Sequence, residues 1–277
     1  CGDVGGESRP AHEDGERPRP EDWWVGGRTL RHETVDARRV GEGVIRARVD
    51  GAWRDFAVRE LPERFVRWSL SERVRRLEAL ATRGFDPRDL DGPHNACVAT
   101  YGGWRRDSAI SLNTAYKGMG FAPRPERLRE TLERLEAAGR RIEAEAGGDF
   151  MRGMALKTRE LARLYTDEAL WDRRLQISLE LFASPARTTH TFLNMMANPI
   201  ASASFLAYPT FEIRAVPRLL HLEDAALAEE ERDLARYANA IHDFVHGGDG
   251  ARLACVYYVV ELFDDTPSDA AAGARLV

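Results

Sequence analysis

The segment from Leu253 to Phe263 constrains the fold of this chain more than any other. It reads LACVYYVVELF, and Tyr257-Tyr258-Val259-Val260 are apolar at consecutive positions. Side chains of a strand alternate between two faces, so a strand apolar at successive positions is buried on both. It therefore belongs at the centre of a sheet covered on both sides. With 277 residues, 43% of them hydrophobic, the chain is long enough to supply such a core. Just upstream, Ile200 to Tyr208 and Thr210 to Arg218, punctuated by Pro209 and Pro217, predict a strand pair or one bent strand. An amphipathic helix from about Leu227 to His246 leads into the final strand.

Near the other end, Val44 to Val49 and Trp53 to Val58 alternate apolar and polar residues around Asp50-Gly51, a hairpin signal because glycine tolerates positive φ. Between these strand regions helical periodicity dominates. Ser71 is placed to cap a helix carrying Val74, Leu77, Leu80 and Ala81 that stops at Arg83-Gly84. Asp86 to Gly103 is rich in loops around a short strand, Ala96 to Tyr101, and Arg105 to Arg124 reads as irregular. Leu128, Leu132, Leu135, Ala138 and Ile142 form an apolar stripe on a helix from Pro125 to Ala146. Phe150 to Phe182 reads as two helices, the second capped by Thr166, and Ser184-Pro185 opens a shorter one that Asn198-Pro199 ends. Strands at both ends with helices between them predict an α+β fold, mainly antiparallel, with residues 23–277 forming one domain.

Residues 1–22 differ in kind. CGDVGGESRPAHEDGERPRPED holds one large aliphatic side chain, Val4, and cannot bury enough apolar area to offset its ordering entropy. A disordered tether is expected there. A cysteine heading a polar, Gly/Pro-rich tether resembles the mature end of a bacterial lipoprotein, in which that cysteine carries diacylglycerol. The resemblance names a processing class and no fold family; it implies lipidation of Cys1, a membrane partner through that lipid, and a place in the cell envelope outside the cytoplasm. A fragment beginning at a cysteine is the alternative. A catalytic N-terminal cysteine, as in class II glutamine amidotransferases, is disfavoured, because that nucleophile sits on a buried strand and here an acidic, Pro-rich segment follows. With Cys1 set aside, Cys97 and Cys255 remain, both in apolar, strand-like settings. Outside the cytoplasm they are candidates for a disulfide if their strands are neighbours, and otherwise for buried free thiols.

The formal charge of −5 gives no basic face, so nucleic acid is not an expected partner. Of the 40 basic side chains only Lys117 and Lys157 are lysines, and the arginines are scattered among acids. The longest apolar run, Ala254 to Val260, falls far short of the ~20 residues that cross a bilayer.

Three groups of residues have the spacing for chemistry. His242 and His246 lie four apart, on one helical face, as two imidazoles sharing a divalent metal such as zinc would. A third ligand would have to come from elsewhere, for example His221, Glu223 or Glu212, and the bland reading places His246 in a last turn favoured by the helix dipole. Arg187, His190 and Asn194 line one stripe of the helix predicted after Ser184, suited to a polar or anionic ligand or simply to solvent. Cys97 with His94, or with the distant His190 and Asn194, has the residue types of a thiol hydrolase, while its apolar neighbours suit a core position. Tyr116 to Gly120 has glycines but no phosphate-loop pattern, and no serine elbow, dinucleotide fingerprint or zinc ribbon occurs. No cofactor is expected beyond that conditional metal. The reading that follows is a lipid-anchored extracytoplasmic binding domain, with a metal-dependent or Cys97-dependent hydrolase as the alternative.

Overall fold

The computed structural model describes residues 23–84, 86, 91–103, 108–248, 252–267 and 273–277. The tether, with Cys1, lies outside them, as does Trp104. The fold is α+β, with 39% helix, 30% strand and a mostly antiparallel seven-stranded sheet. The N-terminal part makes small sheets of its own: β1 (Trp24–Val25) pairs β2 (Thr29–Leu30), and β3 (Val35–Asp36) pairs β4 (Val44–Val49), which pairs β5 (Ala52–Ala57). Asp50 and Gly51 turn the β4–β5 hairpin with φ of 51° and 80°, as the sequence predicts. None of these strands joins the main sheet, contrary to the expectation that both ends of the chain would build it.

The main sheet draws on β6 (Asn95–Tyr101), β7 (Leu112–Gly118), β8 (Leu175–Glu180), β9 (Ala201–Phe205), β10 (Phe211–Leu220), β11 (Leu253–Asp264) and the short β12 (Ala274–Arg275). Its order is β12-β11-β10-β9-β6-β7, and β8 lies along the first half of β11 on the side away from β10. Just past β7 the chain returns to β8, where Gly120 and Ile177 exchange both backbone hydrogen bonds, at 2.9 and 2.7 Å. The strands thus curl into a ring closed at one end. As expected, β11 is central and Leu253 to Val259 are buried on both faces.

The register sorts side chains by face. Ala96, Val98, Lys117, Glu180, Ala203, Ile213, Cys255 and Tyr257 point into the ring, while Cys97, Tyr116 and Ser204 point out. The helix α1 (Glu63–Arg83) stands at one end of the ring, where Phe65 meets Phe121, Phe205 and Phe211. The short α4 (His190–Ala197) enters the other, with Met195 Sδ 3.8 Å from Cys255 Sγ. α5 (Glu229–His246) covers the outer face of β8, β10 and β11; α2 (Pro125–Ala146) packs on α5, and α3 (Phe150–Tyr165) on α1 and α2.

Four local expectations change. Ser71 is interior to α1, its hydroxyl bonding back to Arg67 and Trp68 carbonyls, and the helix begins eight residues earlier behind Pro62. The stretch read as irregular contains β7. The second helix expected before Phe182 is β8 instead: Asp167 caps one 3-10 turn, Glu168–Leu170, and a strand follows. The last short helix starts at His190, capped by Thr189, so Ser184-Pro185 precedes it in a turn.

The Cys97–Cys255 disulfide is not formed. β9 and β10 lie between β6 and β11, which puts the two strands about 14 Å apart at ~4.8 Å per strand, and the thiols point to opposite faces. Both are free.

Candidate functional site

Of the predicted polar stripe, α4 keeps two members. Thr189 caps the helix by accepting from the Phe192 amide at 3.1 Å, and the apolar face of Phe192, Leu193, Met195 and Met196 turns inward as the spacing implies. Asn194 is buried, its Oδ1 accepting from the Gly103 amide at 2.7 Å and its Nδ2 donating to Thr100 Oγ1 at 3.2 Å. It therefore fastens the loop after β6 to the helix. A Cβ on Gly103 would lie 2.8 Å from Asn194 Oδ1, so this approach requires glycine. His190 Nε2 is enclosed and finds no hydrogen-bond partner among the described residues. The space it shares with Asn113, Ser111 and Asn194 measures about 10 Å³, the room one water needs. Arg187 is not on the helix; it is exposed in the preceding turn with its guanidinium 4.9 Å from the Phe182 ring centre. The three residues do not form one ligand stripe.

Beside α4 lies a pair that sequence reasoning missed. Lys117 and Glu180, from the diverging ends of β7 and β8, form an ion pair with side-chain exposures of 13% and 1%. Thr189 Oγ1 lies 3.4 Å from the same carboxylate. The signal available was the alternation Leu175-Gln176-Ile177-Ser178-Leu179-Glu180, which marks a strand with polar groups on one face.

Cys97 does not meet the partners proposed for it. It projects from the outer face of β6 opposite Tyr116 and Ser204, whereas Asn194 and His190 approach from the inner side through Thr100. His94 sits at the strand's start, its ring beside Gly118. Cys255 is fully buried, and burial pushes its thiol pKa up, which suits a core residue and not a nucleophile.

His242 and His246 do come together at the end of α5, with ring centroids 4.8 Å apart. The ligands proposed to complete a metal set lie elsewhere. Glu212 is held by Arg214 and Ser202, and the His221 ring packs edge-on against Trp24 with Glu223 beside it. Among the described residues no third side chain joins the pair as a metal ligand. Asp243 is engaged by Arg252 Nη1 at 2.5 Å and by His242 Nδ1 at 3.2 Å. The His246 pKa is lowered, first by burial and then by His242, Arg252 and Lys157, against the opposing pull of Asp243.

His246 borders a cleft of about 620 Å³ between the C-terminal ends of α2 and α5 and the start of α3. Ile142, Ala146, Met154 and Phe244 supply apolar wall, and Phe150 stands 75% exposed at the rim. Lys157, His246, Glu143, Asp149 and Asp243 are its polar side chains; Asp149 is spent on capping α3 through the Arg152 amide, and Asp243 on Arg252 and His242. The Lys157 ammonium lies 5.9 Å from the Phe244 ring centre and has no ion pair with a described residue. Gly139 and Gly153 sit where α2 and α3 pass Phe244 and Ala146, at distances that a Cβ would shorten to 3.8 and 3.5 Å.

No family model and no curated protein matches this chain. Its chemistry is therefore read from the cleft itself.

Proposed function

We propose that this chain is a ligand-binding domain whose site is the cleft between α2, α3 and α5, and that its ligand is a small amphipathic molecule with an apolar body and an anionic group. The observation that carries the reading is the cleft's size and lining: about 620 Å³ falls in the range of small-molecule sites. Ile142, Ala146, Met154 and Phe244 give it an apolar wall, Asp243 and Asp149 on its lining are taken up by Arg252 and the α3 cap, and Lys157 supplies a cation not committed to a described carboxylate. His246, its pKa lowered by burial and nearby cations, is a neutral imidazole near pH 7 and offers a hydrogen bond and no second charge. The α4 pocket, by contrast, holds no more than a water.

Calorimetric titration with decanoate, and with decanol as the uncharged control, tests the proposal. Both are expected to bind, decanoate more tightly. Lys157→Gln is expected to weaken decanoate at least fivefold and leave decanol nearly unchanged, while Ala146→Trp, which fills the cleft, abolishes both. Binding unaffected by Ala146→Trp, or none at all, ends the reading. Lipid anchoring through Cys1 is a separate proposal from the sequence, and the mass of the native N-terminal peptide checks it independently of the cleft.

A further inference from the structure

We infer that this protein self-associates as a two-fold dimer through the free edge of β7. The hydrogen-bond parity identifies that edge. The Gly102 amide bonds the Ser111 carbonyl and the Met119 amide bonds the His94 carbonyl, so odd-numbered residues of β7 spend their backbone groups on β6. Leu112, Thr114 and Tyr116 therefore aim theirs away from the sheet. Gly120, next but one beyond the strand on the same parity, meets Ile177 of β8. Before that bridge the two strands diverge, and no described residue pairs with the backbone of Leu112, Thr114 or Tyr116.

Free edges in soluble proteins are usually blunted by charge, proline or a bulge. β7 has none of these: it pairs with β6 without a break in register, and its one charged side chain, Lys117, is turned inward and neutralised by Glu180. Its outward row is Leu112, Thr114 and Tyr116, with Leu112 61% and Tyr116 73% exposed. Tyr101 and Ile110 on one side, and Leu181 and Phe182 just past Glu180 on the other, extend the apolar surface. Given about 150–250 Å² for a whole aromatic side chain, the five of these other than Tyr101, which stands one strand inward on β6, present on the order of 500 Å². With the strand backbone added, that approaches the roughly 800 Å² per partner of a stable interface.

The occupant is a second copy because the strand is complementary to itself. Antiparallel pairing about Thr114 sets Thr114 against Thr114 and Leu112 against Tyr116 of the other copy, joining outward-aimed backbone groups at every such position. Lys117 then faces Ser111, so no like charges meet.

Sedimentation equilibrium of the tether-containing chain across 1–200 µM tests this, with Thr114→Pro and Tyr116→Lys as variants. Proline at 114 removes an amide that β6 does not use, and lysine at 116 places a charge on an exposed position, so both are expected to keep the wild-type circular dichroism and melting temperature. A wild-type dimer and two monomeric variants are expected. Amide exchange at 112, 114 and 116 is expected to slow at least tenfold with wild-type concentration and to stay fast in Tyr116→Lys. A wild type that remains monomeric, a dimer that survives both substitutions, or an edge protected only by an added extended peptide overturns the inference.

Discussion

His32 ties three parts of the molecule with one ring. Its Nδ1 accepts from the Leu219 amide at 2.9 Å, which assigns the proton to Nε2, and Nε2 donates to the Met195 carbonyl at 3.1 Å. Arg218 binds the His32 carbonyl and pairs with Glu231, so a cation stands beside the ring. Burial, then Arg218, lower the imidazole pKa to about 3. Above pH 6.5 the ring is neutral both folded and unfolded and its contribution is complete. Below 6.5 only the unfolded chain takes up the proton, so stability falls as pH falls, by up to about 1.4 kcal/mol per pH unit until the folded pKa is reached. Urea denaturation at pH 7.0 and 5.5 is expected to show this loss, and His32→Gln, though less stable at pH 7, is expected to show a smaller one. His221 and His246, also lowered, add to the slope in both proteins, so the difference between them isolates His32. Nothing in the sequence around His32 signals this role, because both of its partners are more than 160 residues away.

At the scale of elements, strand and helix ends follow local chemistry where the deciding group is local. The Asp50-Gly51 turn, α2 opening on Pro125, α1 closing at Gly84 and β11 ending near Phe263 are all legible as sequence. β8 is not, because Thr166 and Asp167 signal a helix start that stops after one turn once Leu175 to Glu180 find β11 to pair with. The Lys117–Glu180 pair holds β7 to β8 beyond their single bridge. Removing one member leaves the other charge buried, so Lys117→Met or Glu180→Gln is expected to cost about 3–5 kcal/mol in chemical denaturation. The double variant Lys117→Met/Glu180→Leu is expected to recover most of that loss, which a double-mutant cycle measures. A fully additive cycle would show the two side chains to be uncoupled.

For the molecule as a whole, β10 and β11 form the longest paired element, ten register pairs interrupted by one bulge after Arg214. Both strands are buried along most of their length, with β8 and α5 on one side and α4 in the ring. Amides of Val216, Arg218, Leu219, Leu220 and Ala254 to Tyr258 are accordingly expected to exchange only through global unfolding, and those of β1, β2 and β12 through cheaper local opening. Native-state exchange at increasing denaturant checks the order.

The sequence by itself determined the α+β class, the hairpin, the long amphipathic helices and the double-sided burial of β11. Each rests on a period of 2 or 3.6 or on a turn residue, which act over a few neighbouring positions. Tertiary structure alone decided that β7 curls round to β8, that Cys97 and Cys255 stand apart, that Asn194 is spent on Gly103, and that His246 opens on a cleft with Lys157. Those outcomes depend on strand order and helix packing between residues distant in the chain, where many pairings satisfy the same local pattern and only the collective burial of the core selects one.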